Sequence, residues 1–354
     1  MRRLPIYFLV DVSESMVGEP IAQVEQGMRT IIQELRADPY ALETVFVGIV
    51  AFAGRARVLT PLTELTLFYP PVFPIGGGTS LSEGLHCLMR DMDLAVKKTT
   101  LDAKGDWKPI IFFFTDGTPT DASTAVEEAI ARWNRDWRRR CNLIAISLGD
   151  NADTQLLGRL TDTVLRLNDL APESCRAFFK WVSASIQASS MAVSDFGSDE
   201  LKLAPLDGIK LEKIDPQAPC QVDENFVVLL ARCSSTDRPY LIKYAKRLKA
   251  GLDEDRSGRL VLSGDGFKLA GAYPVDRALY EAFSEEGGTG QRISTDELMG
   301  QPVCPCCGNQ LGMVLCGCGG IFCYGEDTRG CPWCGVSGEL GVTDEALNLS
   351  RQRG

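Results

Sequence analysis

The sequence predicts an α/β fold, a doubly wound and mostly parallel sheet over residues 1–190, with a small β-rich module and a cysteine-rich module after it. Three observations support this. "PIYFLVD", "TVFVGIVAF", "PIIFFFTD" and "NLIAISLG" are near-continuous apolar runs, as expected of strands covered on both faces. Amphipathic helical patterns separate these runs, and that alternation is the signature of a doubly wound sheet. Later in the chain the β-type runs shorten, and eight of the 13 cysteines crowd between Cys304 and Cys334.

The elements follow in order. The first apolar run ends at Asp11, and Pro20 opens a helix whose buried face is Ile21, Val24, Met28, Ile31 and Leu35. "VFVGIVAF" returns as "ARVLTPL" after a short Gly-Arg turn, which predicts an antiparallel hairpin at a sheet edge. A Ser80 to Glu83 capping box opens a helix carrying Leu81, Leu85, Leu88 and Met92 inward. Asp121 is the cap candidate for the next helix, with Val126, Ile130, Trp133 and Trp137 on its face, and a last helix over about 172–188 buries Phe178, Trp181, Val182 and Ile186. Residues 191–220 lose periodicity and gain Ser, Asp, Pro and Gly, which predicts a linker. Over 221–299 the runs "FVVLLARC", "PYLIKYAK" and "RLVLSG" predict short strands before a helix in "VDRALYEAFSEE"; residues 300–340 form the cysteine-rich module.

Composition narrows the function. With 354 residues, 45% of them hydrophobic, the chain can bury a sizeable core. A net charge of −10 argues against nucleic-acid or membrane-surface binding, which needs an excess of Lys and Arg, and favours a basic partner. No stretch has the roughly 18 apolar residues of a membrane span. "MRRLPIYFLVDVSESM" lacks a small-residue cleavage site and reads as a buried strand rather than a signal peptide. C-x-x-C spacings suit zinc thiolates in a reducing compartment, so the expected location is cytoplasmic.

Ligands of a doubly wound sheet sit beyond the carboxyl ends of its strands. Three segments put oxygens there: Asp11, Ser13 and Ser15 after the first strand, Thr79 in "GGGTS", and Asp116 in "FFFTDG". Any one of them alone is ordinary cap or turn chemistry. Together they offer five hard oxygen ligands, only two of them charged, which suits magnesium, or else manganese or calcium, with a position left open for an outside oxygen. Asp11-x-Ser13-x-Ser15 with Thr79 and Asp116 resembles the metal-ion-dependent adhesion site (MIDAS) of von Willebrand factor A domains, a Rossmann-like fold, over about the first 190 residues. The resemblance implies that both serines coordinate directly, that Thr79, Asp11 and Asp116 coordinate directly or through water, and that a protein partner supplies a Glu or Asp to the open position.

Cys304-x-x-Cys307-Gly and Cys331-x-x-Cys334-Gly read as two zinc knuckles, and the first expectation is one four-thiolate site of these four residues in a zinc ribbon. Cys306, Cys316, Cys318 and Cys323 either complete a second site, or Cys316, Cys318 and Cys323 share ligation with one knuckle beside a bystander Cys306. Because the module has little apolar content, its zinc is expected to be structural. "RPYLIKYAKRL", "GAYPVD", "ISTDELMGQPVCPCCGN" and "CPWCG", spanning about 222–336, resemble the metal-binding domain that follows the adhesion-type domain in TerY proteins of bacterial tellurium-resistance and stress systems. That resemblance implies a signalling triad with a serine/threonine kinase and a metal-dependent protein phosphatase.

Other features recede. His86, the sole histidine, sits on a helix and reads as structural; "RDWRRR" reads as a solvated helix end, and "GDGFKLAG" and "GGTGQR" read as turns. The expectation is therefore a non-enzymatic, metal-dependent interaction protein. A phosphotransferase using Asp11 as nucleophile is the rival, but Ser13 stands where its second acid belongs. A nucleic-acid-binding zinc ribbon is a further alternative that the acidic balance disfavours.

Overall fold

The protein is described from a computed structural model over residues 2–100, 102–148, 153–167, 172–196, 203–205, 211–213, 226–246, 252–254, 260–262, 266–284, 292–337, 341 and 346–350. The chain divides into two compact units, Met1–Asp223 and Glu224–Gly354. Among the described residues no helix is long and apolar enough to cross a membrane.

The first unit runs β1 (Leu4–Asp11), α1 (Glu19–Arg36), α2 (Pro39–Thr44), β2 (Val45–Phe52), β3 (Ala56–Glu64), α3 (Leu81–Ala95), β4 (Ile110–Thr115), α4 (Ser123–Asp136), β5 (Asn142–Leu148), α5 (Thr154–Leu160), β6 (Val164–Leu167), α6 (Pro172–Phe196) and β7 (Leu211–Lys213). Its seven strands lie in the order β3-β2-β1-β4-β5-β6-β7. The five inner strands are parallel, and β3 and β7 close the two edges antiparallel. The apolar runs give this arrangement because alternate residues serve opposite faces. Tyr7, Leu9 and Phe113 pack under α3 and α4 with Leu85 and Trp133. Phe8, Phe112 and Phe114 stack on the other face, where Phe114 meets Phe178 and Phe179 of α6. Helix α1 approaches α6 so closely that a Cβ on Gly27 would fall 2.1 Å from the Phe179 ring, which requires glycine there.

Several details depart from the pattern-based reading. The last helix continues to Phe196, past the expected 188, and the expected linker supplies β7, which pairs with β6 through backbone bonds. The same stretch ties back to α6: the Trp181 indole N–H donates to the Ala204 carbonyl at 2.8 Å, and the Ala204 amide donates to Ser185 Oγ at 3.0 Å. Asp121 does not cap α4, whose N-cap is Ala122; its carboxylate accepts from the Ser82 amide at 2.9 Å and from Ser80 Oγ at 3.1 Å, and so serves the start of α3. The pull of two unsatisfied donors at the start of α3 outcompetes the local cap.

The second unit contains β8 (Phe226–Arg232), β9 (Pro239–Lys246), β10 (Leu252–Glu254), β11 (Leu260–Leu262), β12 (Phe267–Pro274), α7 (Arg277–Phe283), β13 (Arg292–Ser294), β14 (Leu298–Met299), β15 (Leu311–Leu315), β16 (Ile321–Tyr324) and β17 (Asn348–Ser350). Six strands form one sheet in the order β14-β12-β9-β8-β16-β15. The β15–β16 hairpin of the cysteine-rich stretch therefore belongs to the same sheet as β8, β9 and β12, and residue 300 is not a boundary between separate modules. Within "GDGFKLAG", Phe267–Gly271 is strand rather than turn, with a register shift between Leu269 and Gly271 that obscures the alternation. "GGTGQR" lies outside the described residues apart from Arg292.

Candidate metal centres

Asp11 is the last residue of β1 and lies between the ends of β2 and β4. Ser13 then bridges to Gly76, the Gly76 amide donates to the Val12 carbonyl at 2.9 Å, and the "GGGTS" loop is drawn to the strand end. Thr79 is fixed between two segments. Its amide donates to Thr120 Oγ1 and its carbonyl accepts from the Thr120 amide, both at 2.8 Å, while the next amide, of Ser80, donates to the Ala53 carbonyl at 2.7 Å. Gly78 has φ +89°, and a Cβ there would sit 3.4 Å from Gly54 Cα. Only glycine takes this backbone without strain.

A buried chain of hydrogen bonds links four of the five expected oxygen ligands. The Ser13 amide donates to Asp11 Oδ1 at 2.9 Å, Ser13 Oγ and Ser15 Oγ are 3.0 Å apart, and Ser15 Oγ donates to Asp116 Oδ1 at 2.7 Å. Asp11 and Ser13 are fully buried, and Asp116 is 4% exposed. Thr79, also buried, lines a small cleft together with Thr115, Gly117 and Phe52. Thr115 is the participant that sequence reasoning passed over: its hydroxyl donates to Asp11 Oδ2 at 2.7 Å and so orients that carboxylate from behind. Its only signal was its place immediately before Asp116.

The electrostatics favour a cation. Burial and then the negative charge of Asp116 push the Asp11 carboxyl up to about 7, against the bonds from Thr115 and Ser13 that hold it down. A divalent ion would neutralise both carboxylates, and the donor set of carboxylates and hydroxyls is hard oxygen throughout.

The thiols gather into two groups, and not as first expected. Cys304 and Cys307 meet Cys323 and Cys233, and Cys331 and Cys334 meet Cys316 and Cys318; within each group the ligand atoms lie within 4.8 Å of one another. The two knuckles thus serve different sites, which corrects the single site of Cys304, Cys307, Cys331 and Cys334. The cause is strand register. β16 runs parallel to β8 with Ile321 beside Ala231 and Phe322 beside Arg232, which brings Cys323 next to Cys233 at the start of the β8–β9 turn. Cys316 and Cys318 occupy the β15–β16 turn, where the Cys316 amide donates to the Gly320 carbonyl. Cys306 belongs to neither group. Cys233 had been overlooked, standing far from the cluster at the end of "FVVLLARC".

Amides point at these sulfurs, as thiolates require. The Ser234 amide reaches Cys323 Sγ at 3.3 Å, the Thr236 amide reaches Cys233 at 3.4 Å, and the Gly320 and Trp333 amides reach Cys318 and Cys331 at 3.4 Å each. Burial raises the Cys233 thiol, but bonds from Thr236 and Ser235 outweigh it and bring the group down to about 7. Cys304, by contrast, is raised, chiefly by burial.

Comparison with known families gives two matches, von Willebrand factor type A domain over residues 6–178 and TerY-C metal binding domain over residues 223–354. The chain joins a von Willebrand factor type A domain to a TerY-C metal binding domain. Similar curated proteins include inter-alpha-trypsin inhibitor heavy chain H6 of Homo sapiens, 25% identical over 235 residues, covering 56% of this chain and 17% of that protein. Heavy chain H1 of Sus scrofa is 23% identical over 156 residues, covering 43% of this chain and 17% of its own. The chain thus spans 17% of the length of each of these relatives. Among solved structures, a von Willebrand factor type A protein from Catenulispora acidiphila aligns with 15% identity and a TM-score of 0.40, over 79% of this chain and 68% of that one. In the present protein the type A domain carries the oxygen cluster, and the TerY-C domain carries both thiol groups.

Proposed function

We propose that this protein is a non-enzymatic adaptor that captures an acidic side chain of a protein partner through a divalent cation held by Asp11, Ser13, Ser15, Thr79 and Asp116. The observation that carries the reading is the buried chain from Asp11 through Ser13 and Ser15 to Asp116, with two carboxylates close enough to oppose each other's ionisation at one rim of the sheet. Such a cluster is costly without a counterion and complete with one. When bound, the cation supplies Lewis acidity at an open position. The residues themselves orient the ligand oxygens: Thr115 and the Ser13 amide fix Asp11, and Ser15 fixes Asp116. Asp11 is fully buried and engaged at both oxygens, which suits a positioned ligand better than an attacking nucleophile.

The two thiol groups each hold a structural zinc ion in this reading, and the TerY-C domain supplies a second docking surface. By resemblance to TerY proteins the partners are a serine/threonine kinase and a metal-dependent protein phosphatase of a cytoplasmic tellurium-resistance and stress signalling triad. The test is pull-down of each partner by the full chain with magnesium, manganese, calcium or a chelator. Capture that needs the cation and disappears in the Asp11→Asn, Asp116→Asn double variant supports the reading. Capture indifferent to both sinks it.

A further inference from the structure

We infer that the group Cys316, Cys318, Cys331 and Cys334 is an oxidant-sensitive metal switch, set beside the group Cys233, Cys304, Cys307 and Cys323, which resists the same oxidant. This rests on the reading that both groups hold zinc. The two have the same ligand chemistry and differ in their surroundings. Cys233, Cys304 and Cys323 are buried and pack into the apolar core with Val227, Leu229 and Tyr240, and Cys307 is the one exposed thiol of this group. In the other group only Cys331 is buried, whereas Cys318 and Cys334 are exposed and Cys316 is half-buried. Protection at the sulfurs differs in degree: the Gly320 and Trp333 amides reach Cys318 and Cys331, but Cys323 gathers three donors. Cys323 faces the Ser234 amide, the Ser234 hydroxyl at 3.3 Å and the Asn309 side-chain amide at 3.8 Å, and donors around a thiolate lower its nucleophilicity. A small polar oxidant reaches an exposed thiolate first.

Cys316 Sγ and Cys334 Sγ are 3.7 Å apart, so a contraction of under ~2 Å gives a bonded pair; Cys307 Sγ and Cys323 Sγ are equally close, but there one partner, Cys323, is buried, whereas Cys334 is exposed and Cys316 half-buried. With hydrogen peroxide as oxidant, one thiolate attacks a peroxide oxygen, the O–O bond breaks and hydroxide leaves, giving a sulfenic acid. The second thiolate attacks that sulfur, the S–S bond forms and a second hydroxide leaves. Two thiolates have then lost two electrons and the peroxide has gained them. Only Cys318 and Cys331 remain as ligands, too few to retain a structural zinc ion.

The change is transmitted to the sheet through Trp333, which stands between Cys331 and Cys334. Its indole N–H donates to the Ile321 carbonyl at 2.7 Å, and the Arg232 guanidinium lies 4.2 Å from its ring centre while donating to the Pro332 carbonyl at 3.2 Å. Distortion of this knuckle therefore releases a contact with β8 and β16.

The test uses the zinc-loaded full chain and begins with a zinc count. Fewer than two zinc ions per chain would overturn both the underlying reading and this inference. Hydrogen peroxide is then added in slight excess over chain, with released zinc followed by a chromogenic chelator, disulfides mapped by peptide mass spectrometry after alkylation, and tryptophan emission recorded. The expected result is release of one of the two ions, a Cys316–Cys334 disulfide and a change in emission that Trp333→Phe removes while zinc release persists. Thiol reductant and added zinc restore the starting state. Loss of both ions together, first oxidation within the Cys233 group, or oxidation without zinc loss would each overturn the inference while leaving the zinc count intact.

Discussion

Asp11 and Cys323 are both buried at strand ends or within strands, yet they stand in different relations to the units that hold them. Asp11 hangs at the rim of a sheet whose two faces are already filled by phenylalanines, leucines and tryptophans. Cys323, with Cys233 and Cys304, belongs to the apolar core itself. In the first unit the fold creates the site and bears the electrostatic cost of two confined carboxylates. In the second, three thiols are built into the core beside Val227, Leu229 and Tyr240, so on the proposed reading the fold depends on the ion they would bind.

Zinc removal is the strongest way to break that contrast. A high-affinity chelator should abolish the cooperative calorimetric transition of the second unit, because structural zinc contributes roughly 10–16 kcal/mol of apparent binding energy at neutral pH. The transition of the first unit should persist. A second unit that melts unchanged without zinc would remove the distinction.

Next in size is a pH effect confined to the first unit. Asp11 has a folded-state value of about 7 against an ordinary 3.8, so between those values the folded state holds a proton that the unfolded state has released. Without divalent metal the contribution of Asp11 to the stability of the first unit should therefore be fully present in acid, be lost as pH rises from about 4 to about 7, and level off above. Magnesium should reverse the loss, with protons released on binding near pH 6. Denaturant unfolding with and without magnesium measures this, and stability that rises over that window would contradict it. Smaller still is Gly78→Ala, which puts a Cβ at φ +89° against Gly54 and should cost about 1–2 kcal/mol and weaken magnesium binding measured by calorimetry. The smallest effect is expected of Cys306→Ser, with an unchanged zinc count, whereas Cys233→Ser should lose one ion from a site that contains it.

The apolar runs revealed β1, β2, β4 and β5, and the return of "ARVLTPL" on "VFVGIVAF" revealed the β2–β3 edge hairpin, because burial on both faces and short loops leave local traces. The gathering of Asp11, Ser13, Ser15 and Asp116 was legible for a related reason: doubly wound topology brings the strand ends to one rim whatever the loops contain. Strand β7 left no trace, since Leu211–Lys213 is too short for a pattern and joins the sheet through its backbone. Thiol pairing was illegible because it depends on the parallel register of β16 on β8, a long-range contact that C-x-x-C spacing does not encode. Asp121 misled because its carboxylate serves the helix before it in the chain rather than the one after it.

The order of the thiols along the chain constrains how the second unit can be made. Cys316 and Cys318 precede Cys323, yet they belong with Cys331 and Cys334, so the two ligand sets interleave and neither can be excised without cutting into the other. During synthesis the inner set is complete once Cys323 has left the ribosome, while the outer set must wait for Cys334. A peptide beginning near residue 300 would also lack Cys233 and present three sulfurs to an ion that needs four. Such a fragment would acquire a vacant coordination position, and with it a reactivity foreign to the intact polypeptide.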